Sequence, residues 1–254
     1  MREKSPIVIA VCGKGGVGKT SISVLIVRAL RRLPGNPRVL AIDADPAVGF
    51  ATALGIDVGR TVDDIRLEVI EASKNGNGGE VSQIIQELDY ELTNAIVENG
   101  QIAFLAIGRP ETEGCYCKVN EYLRMIIESL AGNFDYVVID GEAGIEQINR
   151  RVMEQVTHLL LVSDCSKKGL NVITTLRRVA ENVMKFEAVG AILNRLRSPD
   201  EARKAELNGI PLLGAILEDL QLRQYDIDGA SLLQFPDNAT TGELERALHA
   251  FNVM

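Results

Sequence analysis

Residues 13–20 read Gly-Lys-Gly-Gly-Val-Gly-Lys-Thr, and no other stretch of this chain limits its fold so tightly. An apolar run at 7–12 precedes it, and residues 21–32 follow with helical spacing. Strand, glycine-rich turn and helix in that order form the setting of a phosphate-binding loop. Glycine lets successive backbone N–H groups converge on an anion, and the helix start adds its positive dipole end. On this template Gly13, Lys14, Gly15, Gly16, Val17, Gly18 and Ser21 belong to the cradle. Lys19 reaches the β- and γ-phosphates, and the Thr20 hydroxyl faces Mg²⁺. The stretch reads as a nucleotide-binding site.

The remainder alternates strand and helix. Strands are expected at 38–43, 101–108, 135–140, 158–163, 188–194 and 212–217, and helices at 61–73, 119–130, 168–184 and 241–251, with 80–99 helical in part. That alternation predicts an α/β fold with a doubly wound, mainly parallel sheet. The composition agrees: 46% of residues are apolar, only 4% aromatic and none is Trp, which suits an aliphatic sheet covered on both faces. No repeat or linker interrupts the pattern, so residues 1–254 are read as one domain.

Ligands of such folds bind at the carboxyl edge of the sheet. Asp43 and Asp45 close the second strand and Asp140 closes another. Asp140 is expected to hold Mg²⁺ through a water, and Asp43 to be a further Mg²⁺-water contact or a structural partner. Residues 141–144 read as a switch that senses the terminal phosphate.

Net charge is −8, which argues against sequence-independent nucleic-acid binding. Arg28, Arg31 and Arg32 are read as a solvated helix face. There is no apolar run of about 20 residues and no leader pattern, so a cytoplasmic protein that does not bind membranes is expected.

Cys115 and Cys117 supply two soft ligands at i and i+2, on one side of an extended stretch. A closed thiolate site takes four, so one chain carries half of it. Zn²⁺, Ni²⁺ and Cu⁺ all suit thiolates. An unmetallated reactive pair is the other reading, whereas a disulfide across one residue is strained. Cys12, Cys165, His158 and His249 have no partner at ligand spacing and read as structural.

Lys14 stands one residue after the first glycine, and K-G-G-V-G-K-T resembles the deviant Walker A loop of the MinD/ParA/nitrogenase-iron-protein/ArsA dimeric ATPases. With D-A-D-P at 43–46, G-C-Y-C-K-V-N at 114–120, E-A-G-I-E at 142–146 and S-D-C-S-K-K-G at 163–169, the chain is similar to the CooC family. These are nickel-insertion ATPases for carbon monoxide dehydrogenase, with AcsF as the relative serving acetyl-CoA synthase. The resemblance implies a P-loop fold like that of the nitrogenase iron protein and a homodimer in which Lys14 crosses to the partner's ATP. It implies that Asp45 orients the attacking water and that Asn194 reads adenine. Pro211, in P-L-L-G, would be the other wall of the base pocket, with 217–219 as a second choice. It further implies ATP/ADP and Mg²⁺ as cofactors, Ni²⁺ or Zn²⁺ between paired Cys115 and Cys117, and a nickel enzyme as recipient. Cys165 departs from the family, which has proline there.

Two other functions compete. An iron–sulfur, ATP-dependent reductase of the nitrogenase type needs a cysteine near 141–150, and none is present. A MinD- or ParA-type positioning switch needs a basic tail helix or a basic DNA face; the tail at 243–254 holds one Arg, two Glu and one His.

Overall fold

The computed structural model describes residues 5–45, 47–75, 88–108, 117–141, 148–149 and 152–254. The apolar run at the start becomes β1 (Ile7–Gly13). It is followed by β2 (Val39–Asp43), β3 (Val97–Asn99), β4 (Ile102–Ala106), β5 (Tyr136–Asp140), β6 (His158–Ser163), β7 (Ala188–Leu196) and β8 (Leu212–Leu217). Their order in the sheet is β3-β4-β2-β5-β1-β6-β7-β8. All pairs are parallel except β3 with β4. The strand that feeds the glycine loop therefore lies inside the sheet, between β5 and β6.

The register sets the site. Val11 pairs with Asp140 and Gly13 with Val162, while Asp43 pairs with Asp140. Both predicted strand-end carboxylates and the loop thus leave the sheet at its carboxyl edge.

Alternate residues of each strand enter opposite cores. Val8, Ala10 and Cys12 pack on one face with helices α3 (Val62–Asn75), α4 (Cys117–Ala131) and α5 (Lys167–Val183). Ile9 and Val11 pack on the other with α1 (Lys19–Leu30), α2 (Gly49–Leu54) and α8 (Ala239–Ala250). Two further helices, α6 (Pro199–Arg203) and α7 (Leu220–Asp228), follow β7 and β8. The fold is the doubly wound sheet that the alternation predicts.

Several details depart from expectation. Residues 88–95 are helical, but the expected helix ends there and β3 follows. The last helix starts at Ala239, ahead of the expected 241, and is capped by Asn238 in a reciprocal box with Thr241. Thr61 stands just before α3 and exchanges bonds with Asp64 in its first turn. Of the three arginines read as a solvated face, Arg32 is exposed, but Arg28 is not: it is 1% exposed and pairs with Asp237 at 2.5 Å. Its guanidinium holds the loop before α8 against α1, and Arg32 bonds to the same carboxylate.

Cys117 is the first residue of α4, so the cysteine pair does not lie wholly in extended chain. Cys115 lies outside the described residues, as does the whole 142–146 motif and, with it, all of the expected switch except Gly141. His158 is buried edge-on against the Phe251 ring, 4.7 Å between centroids, which fits its structural reading. Among the described residues, no helix is long and apolar enough to cross a membrane.

Candidate nucleotide-binding site

The loop at 13–20 is held from behind by the end of β7. Gly18 takes φ of 90°, and a Cβ there would stand 2.6 Å from Asn194 Nδ2, so side chains are excluded on two counts. Asn194 Nδ2 donates to the Val17 carbonyl at 2.9 Å, and Arg195 Nη1 donates to the Gly16 carbonyl at 2.7 Å. With its carbonyls taken up behind, the loop is held in shape without help from its N–H groups. Lys19 is 8% exposed, and its Nζ donates to the Lys14 carbonyl at 3.4 Å, within the loop.

Asp140 lies under the start of α1. Thr20 Oγ1 donates to its Oδ2 at 2.7 Å and Ser23 Oγ to its Oδ1 at 2.9 Å. Thr20 and Ser23 are three residues apart on one helix, which puts both hydroxyls on the same face. Burial raises the Asp140 carboxyl to about 6, against the opposing bonds from those hydroxyls and the charge of Lys19. Asp43 is fully buried, and burial together with the charge of Asp140 lifts it to about 7 although two backbone amides oppose the shift. Those amides are Asp45 N at 3.0 Å and Phe50 N at 2.9 Å. Asp43 thus anchors the loop that carries Asp45 and the start of α2, the structural alternative in its sequence reading. Thr20, Asp43 and Asp140 offer hard oxygens, the donor chemistry that Mg²⁺ takes. Asp45 accepts from Ala47 N at 2.9 Å and lines an open cleft of about 570 Å³ with Gly15, Lys19, Thr20 and Arg195.

A second cleft of about 340 Å³ adjoins it on the far side of Gly18, lined by Asn194, Leu217, Asp219, Leu222 and Asp226. Here one expectation is corrected. Pro211 precedes β8 and its carbonyl accepts from Ala191 N, near the amino end of β7. From Leu212 to Leu217 the strand runs about 16 Å at roughly 3.3 Å per residue. Pro211 therefore sits at the opposite edge from Asn194, and residues 217–219 form the cleft wall instead.

Four residues near the loop carried no assigned role in the sequence: Ser23, Asp164, Arg195 and Asp226. Lys14 Nζ lies 3.6 Å from Asp164 Oδ2, and Ser21 Oγ lies 3.4 Å from Asp226 Oδ2. Helical spacing from Thr20 could have pointed to Ser23; the others meet the loop only through the tertiary fold. The helix that Cys117 opens starts at the same edge of the sheet. Asn120, in its first turn, lines a small gap with Ile107, at the end of β4, and with Asp63. Among the described residues no cluster of His, Cys, Asp and Glu has the makings of a metal site.

Residues 6–188 match the family model AAA_31, described as an AAA domain. The chain belongs to this AAA domain family. The matched span of this AAA domain takes in the glycine loop, Asp43, Asp45, Asp140 and Asp164; Asn194 and the 217–219 wall lie beyond it. The chain is 35% identical over 238 residues to the uncharacterized ATP-binding protein MJ0685 of Methanocaldococcus jannaschii, covering 91% of this chain and 92% of that one. It is 28% identical to the carbon monoxide dehydrogenase accessory protein CooC of Rhodospirillum rubrum, over 88% of each chain. In fold, the AAA domain is similar to the septum site-determining protein MinD complexed with Mg-ADP from Pyrococcus horikoshii OT3, with a TM-score of 0.69, 22% identity and coverage of 96% and 95%.

Proposed function

We propose that this AAA-family chain is a MinD/ParA/CooC-type ATPase that hydrolyses MgATP as a homodimer. Its cycle holds and releases a thiophilic metal at Cys115 and Cys117, and the cargo is Ni²⁺ destined for carbon monoxide dehydrogenase or acetyl-CoA synthase. Similarity to CooC over 88% of both chains supports the reading. The observation that carries it is the placement of Cys117. It opens a helix whose first turn packs beside the end of β4, at the sheet edge that also bears the glycine loop.

In this reading the amides of residues 15–18 and Lys19 bind the phosphates, and Asp45 orients the attacking water from its side of the 570 Å³ cleft. Bound Mg²⁺ would neutralise the β- and γ-oxygens, next to Thr20 and Asp140. Lys14 supplies a further cation to the nucleotide of a second copy. Two copies also bring the thiolates to four, the number a closed soft-metal site takes.

The test is metal content per dimer after loading with Ni²⁺ or Zn²⁺, with and without MgATP. Wild type is expected to hold one ion per dimer, and Cys115→Ala/Cys117→Ala none. Retention of one ion by the double variant would overturn the metal site. A positioning switch would instead gain turnover from anionic vesicles or duplex DNA, and no stimulation is expected. The last helix already packs Leu244, Ala247 and Leu248 into the core.

A further inference from the structure

Lys14 is the loop's outward cation, yet it is restrained within its own chain. Its Nζ lies 3.6 Å from Asp164 Oδ2, with the two side chains about one-third exposed. Its carbonyl accepts from Lys19 Nζ. Asp164 is itself fixed. Its Oδ1 accepts from Ser166 Oγ at 2.5 Å and from Ser166 N at 3.2 Å, and its carbonyl accepts from Ser163 Oγ at 2.8 Å. Ser166 Oγ in turn caps α5 by accepting from Gly169 N at 3.0 Å. Gly169 leaves room for this arrangement, since a Cβ there would stand 2.2 Å from Asp164 Oδ1 and 2.6 Å from Ser163 Oγ.

Burial pushes the Asp164 carboxyl up, but the Ser166 bonds and the Lys14 charge outweigh it and hold the group below its ordinary range. A fixed carboxylate therefore faces Lys14 at neutral pH. Because β6 is the direct neighbour of β1, with Gly13 opposite Val162, this anchor stands one residue beyond a strand that flanks the loop's own.

We propose that Asp164 is a positioning residue for Lys14. It parks the ammonium on its own protomer, and the ammonium must leave it before reaching the phosphates of a second copy. The proposal rests on the dimeric reading above. It makes association and turnover compete with an ion pair internal to the protomer. An exposed pair of this kind sets the closing equilibrium by about two- to fivefold.

The experiment is steady-state ATPase rate against protein concentration, paired with sedimentation of the dimer under a slowly hydrolysed ATP analogue. Asp164→Asn is expected to lower the concentration at half-maximal rate by about two- to fivefold, with the shift in that concentration and not in the maximal rate. Asp164→Glu should move back toward wild type. In Lys14→Ala, which should lose most turnover, Asp164→Asn should no longer change dimer formation. An unchanged or raised half-maximal concentration in Asp164→Asn, with Lys14→Ala inactive, would overturn the parking role and leave the dimeric reading standing. Full turnover by Lys14→Ala would remove both. Melting curves of each variant separate these effects from misfolding.

Discussion

Asn194 donates from Nδ2 to the carbonyl oxygen of Val17 at 2.9 Å, tying the end of β7 to the glycine loop across 177 residues of chain. Asn194 is 3% exposed, so without this bond the Val17 carbonyl would be left without a partner in a dry setting. Asn194→Ala is expected to destabilise the chain by about 1–3 kcal/mol and to weaken ATP binding about tenfold. Asn194→Asp, which turns an acceptor toward an acceptor, should be worse still. Calorimetric titration with ADP and ATP reads both, and wild-type affinity in the two variants would show that the loop holds its shape alone.

Gly18 and Gly35 share a positive φ, 90° and 94°, but not a neighbourhood. A Cβ at Gly18 meets the Asn194 amide, whereas one at Gly35 meets nothing within 4 Å. Each substitution to Ala costs about 1–2 kcal/mol of backbone strain. Only Gly18→Ala should also abolish nucleotide binding. Equal ATP affinity in the two variants would contradict the role given to the loop's close approach to β7.

Asp43 and Asp140 have carboxyls raised by burial from 3.8 to about 7 and about 6. Between those values and 3.8 the folded chain holds protons that the unfolded chain has released. Stability from these groups is therefore greatest at low pH and falls as pH rises from about 4 to about 7. The nucleotide-free protein should accordingly melt at a lower temperature at pH 7.5 than at pH 5.5 on account of these two groups, and Asp140→Asn should flatten the slope. MgATP should favour the ionised forms, and its affinity should drop below pH 6. Differential scanning calorimetry across pH, with and without MgADP, decides this; a slope unchanged in Asp140→Asn would refute it.

Arg28 is a buried cation whose one carboxylate partner among the described residues, Asp237, is largely exposed. Its stem is packed within α1, so Arg28→Ala removes packing as well as charge. Arg28→Ala should lower the melting temperature by several degrees, Arg28→Met by less, and Asp237→Asn least, because solvent can replace that partner. Thermal unfolding followed by circular dichroism gives the ranking, and a neutral Arg28→Ala would show that the loop before α8 needs no anchor.

The sheet was readable because strands buried on both faces are continuous apolar runs, as in the buried Leu159, Leu160, Leu161 and Val162 of β6. The glycine loop was readable because its chemistry is local. What stayed hidden depends on distance along the chain or on weak periodicity. β3 is three residues, Val-Glu-Asn, with no apolar signature. α2 follows a non-glycine residue in left-handed conformation, Val48, and its Phe50 amide is held by Asp43 seven residues back. α7 has no apolar stripe, with Leu222 its one buried side chain. Pro211 was misplaced because a motif shows that a wall exists, not at which end of the strand it stands. The partnerships of Arg195 with Gly16 and of Lys14 with Asp164 join segments about 150 or more residues apart, and composition has no access to them.

Both borders of the sheet are closed to strand addition. On one side β3 is short and carries the exposed Glu98 and Asn99; on the other, the Ala215 amide of β8 donates to Glu243 Oε1 from α8 at 3.1 Å. Natural sheets use such short, charged or occupied rims to resist edge-to-edge polymerisation. Copies of this chain can therefore be crowded at high concentration, as an assembly step demands, without their sheets fusing into a continuous ribbon.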